Sequence, residues 1–195
     1  KDDPNYIRPL ESDVEQVFDP AKNKFFKHGA CKRWLLKDQG ITIGRVAAFV
    51  NRKTADTFEQ PTGGMGFFES VEDRAAAFRL FDTAKVWLEG QGMEAMDGPV
   101  NFGDRDRWWG LLVDGFYPPC YCSNYNPPYY RSFFEEYGFQ LYFKQFTYYR
   151  RVRQKLNDRY LKFAQTILSD PAYAFRHIRK ARLGDFIEDF RTIYN

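Results

Sequence analysis

The stretch from Met65 to Asn101 constrains this fold more than any other, because two β-rich segments flank one amphipathic helix. The first segment, MGFFE, covers positions 65–69, and the second, MEAMDGPVN, is stopped as a strand by Gly98-Pro99. Between them, apolar residues recur at helical spacing on one face: Ala77, Leu80, Phe81, Ala84, Trp87 and Leu88. A strand, a helix and a strand in this order predict a right-handed parallel crossover.

The start of this helix is the first candidate site. Ser70 is the predicted N-cap, and Asp73, three residues later, resembles half of a capping box. Backbone N–H groups at a helix start attract phosphate, and small side chains let the phosphate approach. The turn carries three alanines and no glycine. Two interpretations stay open: an altered phosphate site, or a helix whose alanines pack against the sheet.

The flanking segments predict a mixed sheet covered by helices. Residues 32–37 and 41–51 flank Asp38-Gln39-Gly40 and read as a β-hairpin, preceded by a short helix over 11–17. NPPYYRSFFEEYGF predicts a helix capped by Asn126 and ended by Gly138. QLYFKQFTYYRRV, at 140–152, alternates in a β-rich pattern and predicts a further strand.

The chain changes character after position 152. Positions 144–182 carry eleven Lys or Arg residues and two acids, a balance that indicates either a solvated helix face or an anionic partner such as nucleic acid. Because no phosphate-binding motif accompanies the charges, the solvated face is favoured. Residues 154–168 predict a basic helix, AFRHIRKAR a strand and LGDFIEDFRTIYN a helix. We expect one domain over 1–152, then a basic linker helix and the first elements of a second domain over 153–195.

Composition narrows the class of protein. Aromatic residues make up 19% of the chain, which predicts a thick core or an aromatic-lined cleft. No apolar run approaches the ~18 residues of a membrane helix, so we expect a soluble, cytoplasmic protein without a membrane partner. Cys120 and Cys122 lie in a C-x-C spacing remote from both histidines, so we predict reduced thiols and no metal site.

With these elements placed, residues from about Tyr6 to Val152 resemble the GCN5-related N-acetyltransferase superfamily. The most specific match is FEEYGF, at 134–139, which is similar to the family's aromatic-x-x-x-Gly-Phe ending. GFFES, GPVN, GLLVDGF, NPPYY and YGF, in this order, resemble a bacterial branch of acetyltransferase-like proteins. The resemblance implies an α/β (α+β) fold whose mixed, mostly antiparallel sheet contains a central parallel strand–helix–strand unit. It also implies a second, similar domain in a longer chain.

The resemblance implies a coenzyme as well: acetyl-CoA or another acyl-CoA lies between two splayed strands, with its pyrophosphate at the helix start. The family motif Arg/Gln-x-x-Gly-x-Gly/Ala falls here on Arg74, Ala77 and Arg79, so both glycines are replaced. The residues implied to contact the coenzyme are Ser70, Val71, Asp73, Arg74, Ala75, Ala76, Ala77, Arg79 and Asn101.

Two residues are implied to move protons. Glu69, at the end of MGFFE, matches the strand glutamate that deprotonates the amine in several family members. Phe134 stands where the family often has a Tyr that protonates the leaving thiolate, and Tyr130, one turn earlier, is the candidate replacement. The alternatives are a solvent-facing or helix-capping Glu69 and a buried structural Tyr130.

The connection 101–125 is the predicted place of acceptor specificity. Asp104 and Asp106 are predicted to hold a cationic amine, in a pocket walled by Trp108, Trp109, Phe116 and Tyr117. The alternative is a surface ion-pair cluster, with the tryptophans in the core.

Three functions follow from these observations. The first is acyl-CoA-dependent N-acyl transfer to a small or peptidyl amine. The second is a non-catalytic ligand-binding or interaction module that keeps the fold with a degenerate coenzyme site. The third and weakest is nucleic-acid binding by the basic helix, which predicts a steep salt dependence.

Overall fold

The computed structural model describes residues 3–57 and 59–194. The chain divides into two compact units, one ending at Gln145 and the other beginning at Phe146.

The first unit is built on a four-stranded mixed sheet in the order β1-β2-β3-β4. The strands are β1 (Gly29–Asp38), β2 (Ile41–Asn51), β3 (Thr62–Ser70) and β4 (Ala95–Asp97). β1, β2 and β3 pair antiparallel, whereas β4 pairs parallel to β3, with Thr62 opposite Ala95. The predicted hairpin and the predicted parallel crossover pairing are both confirmed.

The β1–β2 hairpin is closed by Gln39 and Gly40, which both have positive φ, 45° and 84°. Two such residues form the tight turn whose twist matches that of paired strands. β1 begins three residues earlier than predicted and pairs along its length with β2, from Gly29 opposite Asn51 to Asp38 opposite Ile41.

Helix α3 (Arg74–Gly90) connects β3 to β4 and packs on one face of the sheet. Five of its apolar residues are buried there as their spacing predicted: Ala77, Leu80, Phe81, Ala84 and Leu88. The β2 residues on this face are Val46, Ala48 and Val50. Burying this stripe stabilises the crossover by roughly 25 cal/mol for each Å² of apolar surface removed from water.

The opposite face of the sheet has a second, smaller core. Phe49 points to it because successive residues of a strand face opposite sides. Val17 of α1 (Glu11–Phe18), Val100 and Phe102 pack around Phe49, with the Phe49 and Phe102 ring centroids 5.3 Å apart. Both faces of the sheet are therefore covered, and most of the phenylalanines of the chain lie in these two cores. A one-turn helix, α2 (Arg52–Ala55), follows β2.

Helix α4 (Tyr130–Tyr137) packs beside α3 and ends at Gly138, whose φ of 111° requires a residue without a Cβ. The prediction that Asn126 caps this helix is wrong, because Tyr129 occupies the cap position. Asn126 instead accepts from the Leu112 N–H at 2.8 Å and donates to the Leu112 carbonyl at 3.0 Å. These two bonds of the Asn126 amide hold the long connection 98–129 in place. The residues of that connection form neither helix nor strand.

The predicted strand over 140–152 is not formed, and neither is the predicted strand AFRHIRKAR. Alternation alone cannot make a strand, because each backbone group needs a partner on a neighbouring strand. The second unit contains α5 (Asp158–Ser169), a 3₁₀ turn (Lys180–Arg182) and α6 (Leu183–Tyr194). Both predicted helices form, but α5 begins four residues later than predicted because the Asn157 side chain caps it. Within residues 3–57 and 59–194, every helix is too short or too polar to cross a bilayer.

Candidate functional site

The candidate site lies at the end of β3, beyond the last backbone hydrogen bond that joins β3 to the segment after β4 among the described residues. The Val100 N–H donates to the Met65 carbonyl at 2.8 Å, and Gly66 faces Val100 so closely that a Cβ there would lie 1.8 Å from the Val100 oxygen. At the next residue, Phe67, φ is 50° and the β2–β3 register shifts. A bulge of this kind bends a strand. Beyond it, β3 continues to Ser70 paired only with β2.

The bend places a charged pair at the end of the sheet. Arg45 of β2 lies opposite Glu69 of β3, and its Nη2 atom is 2.7 Å from Glu69 Oε1. The two side chains are 42% and 51% exposed, so the pair is open to solvent and to a ligand. The hydroxyl of Tyr6 lies near this pair. Burial raises the pKa of the hydroxyl, the charge of Glu69 raises it further, and the charge of Arg45 lowers it.

The next residue, Ser70, is held by two tyrosines. The Tyr130 hydroxyl accepts from the Ser70 N–H at 2.8 Å and donates to the Ser70 carbonyl at 3.3 Å, and the Tyr129 hydroxyl donates to the same carbonyl at 3.0 Å. Burial raises the pKa of the Tyr130 hydroxyl well above its ordinary value. These bonds hold the end of the strand. Proton donation by Tyr130 to a ligand would require its hydroxyl to leave Ser70 first.

The start of α3 has a different cap from the one predicted. Ser70 is the last residue of β3, and Asp73 is the N-cap, accepting from the Ala75 N–H at 2.8 Å. The reason is spacing: an N-cap side chain reaches N–H groups two or three residues ahead, and the helix begins at Arg74. The carboxylate of Asp73 therefore occupies the position that an anion would take at this helix start.

Two more of the predicted coenzyme contacts are engaged within the protein. The Val71 N–H donates to the Ile43 carbonyl at 3.0 Å, which extends the pairing of β2 and β3. The guanidinium of Arg74 lies 4.8 Å from the Phe78 ring centroid, and its Nε is 3.0 Å from Glu136 Oε2. Arg74 thus links α3 to α4, and Val71 does not present a free donor to a carbonyl oxygen.

The remaining residues that are predicted to contact the coenzyme differ in how exposed their side chains are. Ala76 and Ala77 are buried, at 5% and 0% exposed, so their methyl groups belong to the core. Ala75 and Arg79 are on the exposed side of α3. Asn101, directly after Val100, is 5% exposed, and its Oδ1 atom has no hydrogen-bond donor among the described residues. A buried amide oxygen without a donor is costly unless something else supplies one.

The two acidic residues of the predicted acceptor pocket both form ion pairs. Asp104 pairs with Lys24 at 3.1 Å, and Asp106 pairs with its neighbour Arg107 at 3.3 Å. Both pairs are largely exposed, which matches the alternative of a surface ion-pair cluster.

The four predicted wall residues differ in exposure and in the residues that they contact. Trp108 and Trp109 are half-buried against the second core. The ring centroids of Trp108 and Phe67 are 5.6 Å apart. Phe116 is half-buried and its carbonyl accepts from Asn5, whereas Tyr117 is 78% exposed. Only Trp108 approaches the bulge at Phe67, so it is the wall residue nearest to the candidate site.

Three residues of the site escaped sequence reasoning: Arg45, Tyr129 and Tyr6. Arg45 carried a usable signal, since a charged residue interrupts the otherwise apolar run of β2, ITIGRVAAFV. The predicted hairpin alone could not show that it faces Glu69, because that requires the β2–β3 register.

Cys31 of β1 packs against the second core. Burial raises the pKa of the Cys31 thiol to about 12, so it stays protonated. Residues 3–57 and 59–194 bring together no cluster of three His, Cys, Asp or Glu side chains suited to a metal.

Two curated proteins are similar to this chain. "Protein YghO" of Escherichia coli (strain K12) is 30% identical over 139 residues, which is 71% of this chain and 35% of that protein. "Bacterial ceramide synthase" of Caulobacter vibrioides (strain NA1000 / CB15N) is 32% identical over 139 residues, 70% of this chain and 36% of that protein. The chain therefore spans about a third of the length of the relatives it matches. No protein-family model and no solved structure matches the chain.

Proposed function

We propose that the first unit is an N-acyltransferase domain of the GCN5-related kind, which transfers an acyl group from acyl-CoA to an amine. The observation that carries the proposal is the similarity, over 70% of this chain, to a protein named bacterial ceramide synthase. Ceramide contains an amide bond between a fatty acid and a long-chain amine, and forming that bond is an acyl transfer to nitrogen. A long-chain amine is accordingly one acceptor to test.

The proposed reaction is a direct transfer. The amine nitrogen attacks the thioester carbonyl, a C–N bond forms, the C–S bond breaks, and coenzyme A leaves as the thiolate. Glu69 takes the proton from the attacking nitrogen, directly or through one water, and solvent protonates the thiolate. Arg45 orients the Glu69 carboxylate through its Oε1 atom, which leaves Oε2 as the acceptor of the proton.

The proposed position of the acyl-CoA is beside the end of β3, where β3 is no longer bonded to the segment after β4. Asn101, which directly follows Val100, offers a buried amide oxygen without a donor among the described residues. An amide N–H of the coenzyme's pantetheine arm would satisfy that oxygen, and an exact orientation of both reactants lowers the barrier to transfer. No step of the proposal uses Tyr130, because its hydroxyl is bonded to Ser70.

The second candidate is a module that keeps this fold without catalysis. The cap contact of Asp73 favours it, because a carboxylate at the start of α3 opposes a bound pyrophosphate. A second domain of the same kind in a longer chain stays a prediction in either case.

Isothermal titration with acetyl-CoA, an acyl-CoA of medium chain length and plain CoA separates the two candidates. Binding of the acyl-CoAs with micromolar affinity is the result expected for the enzyme. If no heat of binding is found at millimolar ligand, the enzyme proposal fails and the module remains.

Glu69→Gln tests the catalytic base. The amide cannot accept a proton, so turnover with a long-chain amine should fall about 100-fold or more while acyl-CoA affinity changes little. Turnover is followed by release of free thiol. Glu94→Gln, which removes an exposed carboxylate elsewhere in the same unit, should be neutral. Equal turnover of Glu69→Gln and the parent protein would exclude Glu69 as the base.

A further inference from the structure

Helix α5 of the second unit has an apolar face that is exposed among the described residues of that unit. With 100° per residue, one side of the helix carries six apolar residues: Tyr160, Leu161, Phe163, Ala164, Ile167 and Leu168. Tyr160, Phe163 and Leu168 are 65–66% exposed, and no residue of the helix is buried. The opposite side carries the two basic residues Arg159 and Lys162 and one acidic residue, Asp158.

The surrounding chain is strongly basic. Positions 144–182 hold eleven Lys or Arg residues against Asp158 and Asp170. Just before α5, the backbone forms an open concavity of about 560 Å³ whose lining includes Arg150, Lys155 and Tyr160. Exposed aromatic side chains lie among these charges, including Tyr149, which is 86% exposed. Cationic groups, rings and an apolar helical face thus occur in one continuous segment.

We propose that this segment, residues 144–182, docks on the surface of an anionic lipid bilayer. α5 lies in the interfacial plane with its apolar face toward the acyl chains, and the basic side chains contact anionic headgroups. A helix with Lys or Arg on one side and aromatic and aliphatic residues on the other binds membrane surfaces in two ways at once. Its basic residues are attracted to anionic headgroups, and its apolar residues are buried among the acyl chains.

A nucleic acid would account for the charges alone. Phosphate contacts need Lys and Arg, but they leave the Phe163 and Leu168 side of α5 without a partner. The bilayer accounts for both the charges and the apolar face, which is why we choose it. The expectation of no membrane partner came from the absence of a spanning segment, and interfacial binding needs no span.

The test is co-sedimentation of the full chain with large vesicles. Vesicles of phosphatidylcholine with about 30% phosphatidylglycerol should bind the chain, and pure phosphatidylcholine vesicles should bind it weakly. Raising NaCl from about 0.1 M to about 0.5 M shortens the screening length and should release most of the bound protein. Two oligonucleotides, one single-stranded and one double-stranded, are titrated at the lower salt for comparison.

Two sets of variants separate the charge from the apolar face. Arg153→Gln, Arg159→Gln and Lys162→Gln together should lower partitioning about 100-fold, because each basic residue near an anionic surface contributes roughly a fivefold gain. The matched control, Lys27→Gln, Lys37→Gln and Lys53→Gln, removes the same charge from exposed positions of the first unit and should change partitioning far less.

The apolar face is tested by Phe163→Ala with Leu168→Ala, which keeps the helix propensity high and should cost about tenfold in partitioning. Four outcomes overturn the proposal. They are no binding to anionic vesicles, equal binding to neutral vesicles, an equal loss in the control variant, or oligonucleotide binding without vesicle binding. None of these measurements depends on acyl transfer, so the two proposals fail separately.

Discussion

The Tyr130 hydroxyl is bonded to both backbone groups of Ser70, and this contact sets the end of β3. Removing it with Tyr130→Phe leaves the buried Ser70 N–H without an acceptor. A buried polar group without a partner costs about 1–3 kcal/mol, so the unfolding free energy should fall by about that amount. Urea denaturation followed by circular dichroism measures the change.

Tyr129→Phe is the matched control for this prediction. It removes one hydroxyl bond to the same carbonyl from a half-buried ring, and the Ser70 N–H keeps its acceptor. Its cost should be smaller, about 0.5–1 kcal/mol. If both variants have the same stability as the parent protein, the tyrosine contacts do not hold the end of the strand.

Asp73 is the residue that most opposes a phosphate at the start of α3. Asp73→Ser keeps an N-cap oxygen and removes the negative charge, so helix stability should change by only a few tenths of a kcal/mol. Affinity for CoA should rise about three- to tenfold, because a charge near a helix end changes binding by roughly 0.5–1.5 kcal/mol. Titration of both proteins at low salt measures this. Asp82→Ser, at an exposed position further along α3, is the control, and an unchanged affinity in Asp73→Ser would place the phosphates elsewhere.

At the scale of the elements, the crossover depends on the close approach of β3 to the segment after β4. A Cβ at Gly66 would lie 1.8 Å from the Val100 oxygen, whereas a Cβ at Gly90, at the end of α3, would meet nothing within 4 Å. Gly66→Ala must therefore push the two backbones apart and should lower the unfolding free energy by several kcal/mol, about 3 or more.

Gly90→Ala should be neutral or raise stability by up to about 0.5 kcal/mol, since alanine is the better helix former. The pair is compared by thermal unfolding under identical conditions. Gly66→Ala as stable as Gly90→Ala would mean that the two backbones separate earlier than the structure shows.

For the whole molecule, alkaline pH should destabilise the fold. Burial raises the pKa of Cys31 from an ordinary 9.0 to about 12, and that of Tyr130 upward from 10.0. A group whose pKa is raised in the folded state stabilises the fold fully below its unfolded pKa and loses that contribution as pH rises. For Cys31, the window runs from about pH 9 to about pH 12.

The unfolding free energy should therefore be nearly constant just below pH 9 and fall through this window. Cys31→Ala should reduce the slope of the unfolding free energy against pH. It also lowers the unfolding free energy at every pH, because the packing of the thiol is lost. Urea titrations at several pH values measure the slope, and an identical slope in Cys31→Ala would assign the alkaline loss to other groups. Cys120→Ala, at an exposed thiol, should leave the slope unchanged.

The sequence by itself determined the elements whose signals are local. The hairpin turn, the apolar stripe of α3, α1, α5, α6 and the glycine end of α4 all follow from side-chain spacing and backbone preference within a few residues. Glu69 lies near the end of β3, as the sequence predicted. Its role as a base is implied by the family resemblance and stays a prediction. The predicted strand over 140–152 failed because pairing needs a distant partner that alternation does not specify.

Only the tertiary structure decided the contacts between residues far apart in the chain. The Arg45–Glu69 pair depends on the β2–β3 register and its bulge. The contact of Tyr130 with Ser70 depends on how α4 packs, and the burial of the Asn101 oxygen depends on how the connection after β4 packs. Local propensities are summed along the chain, whereas a site is made where packing brings separate segments together.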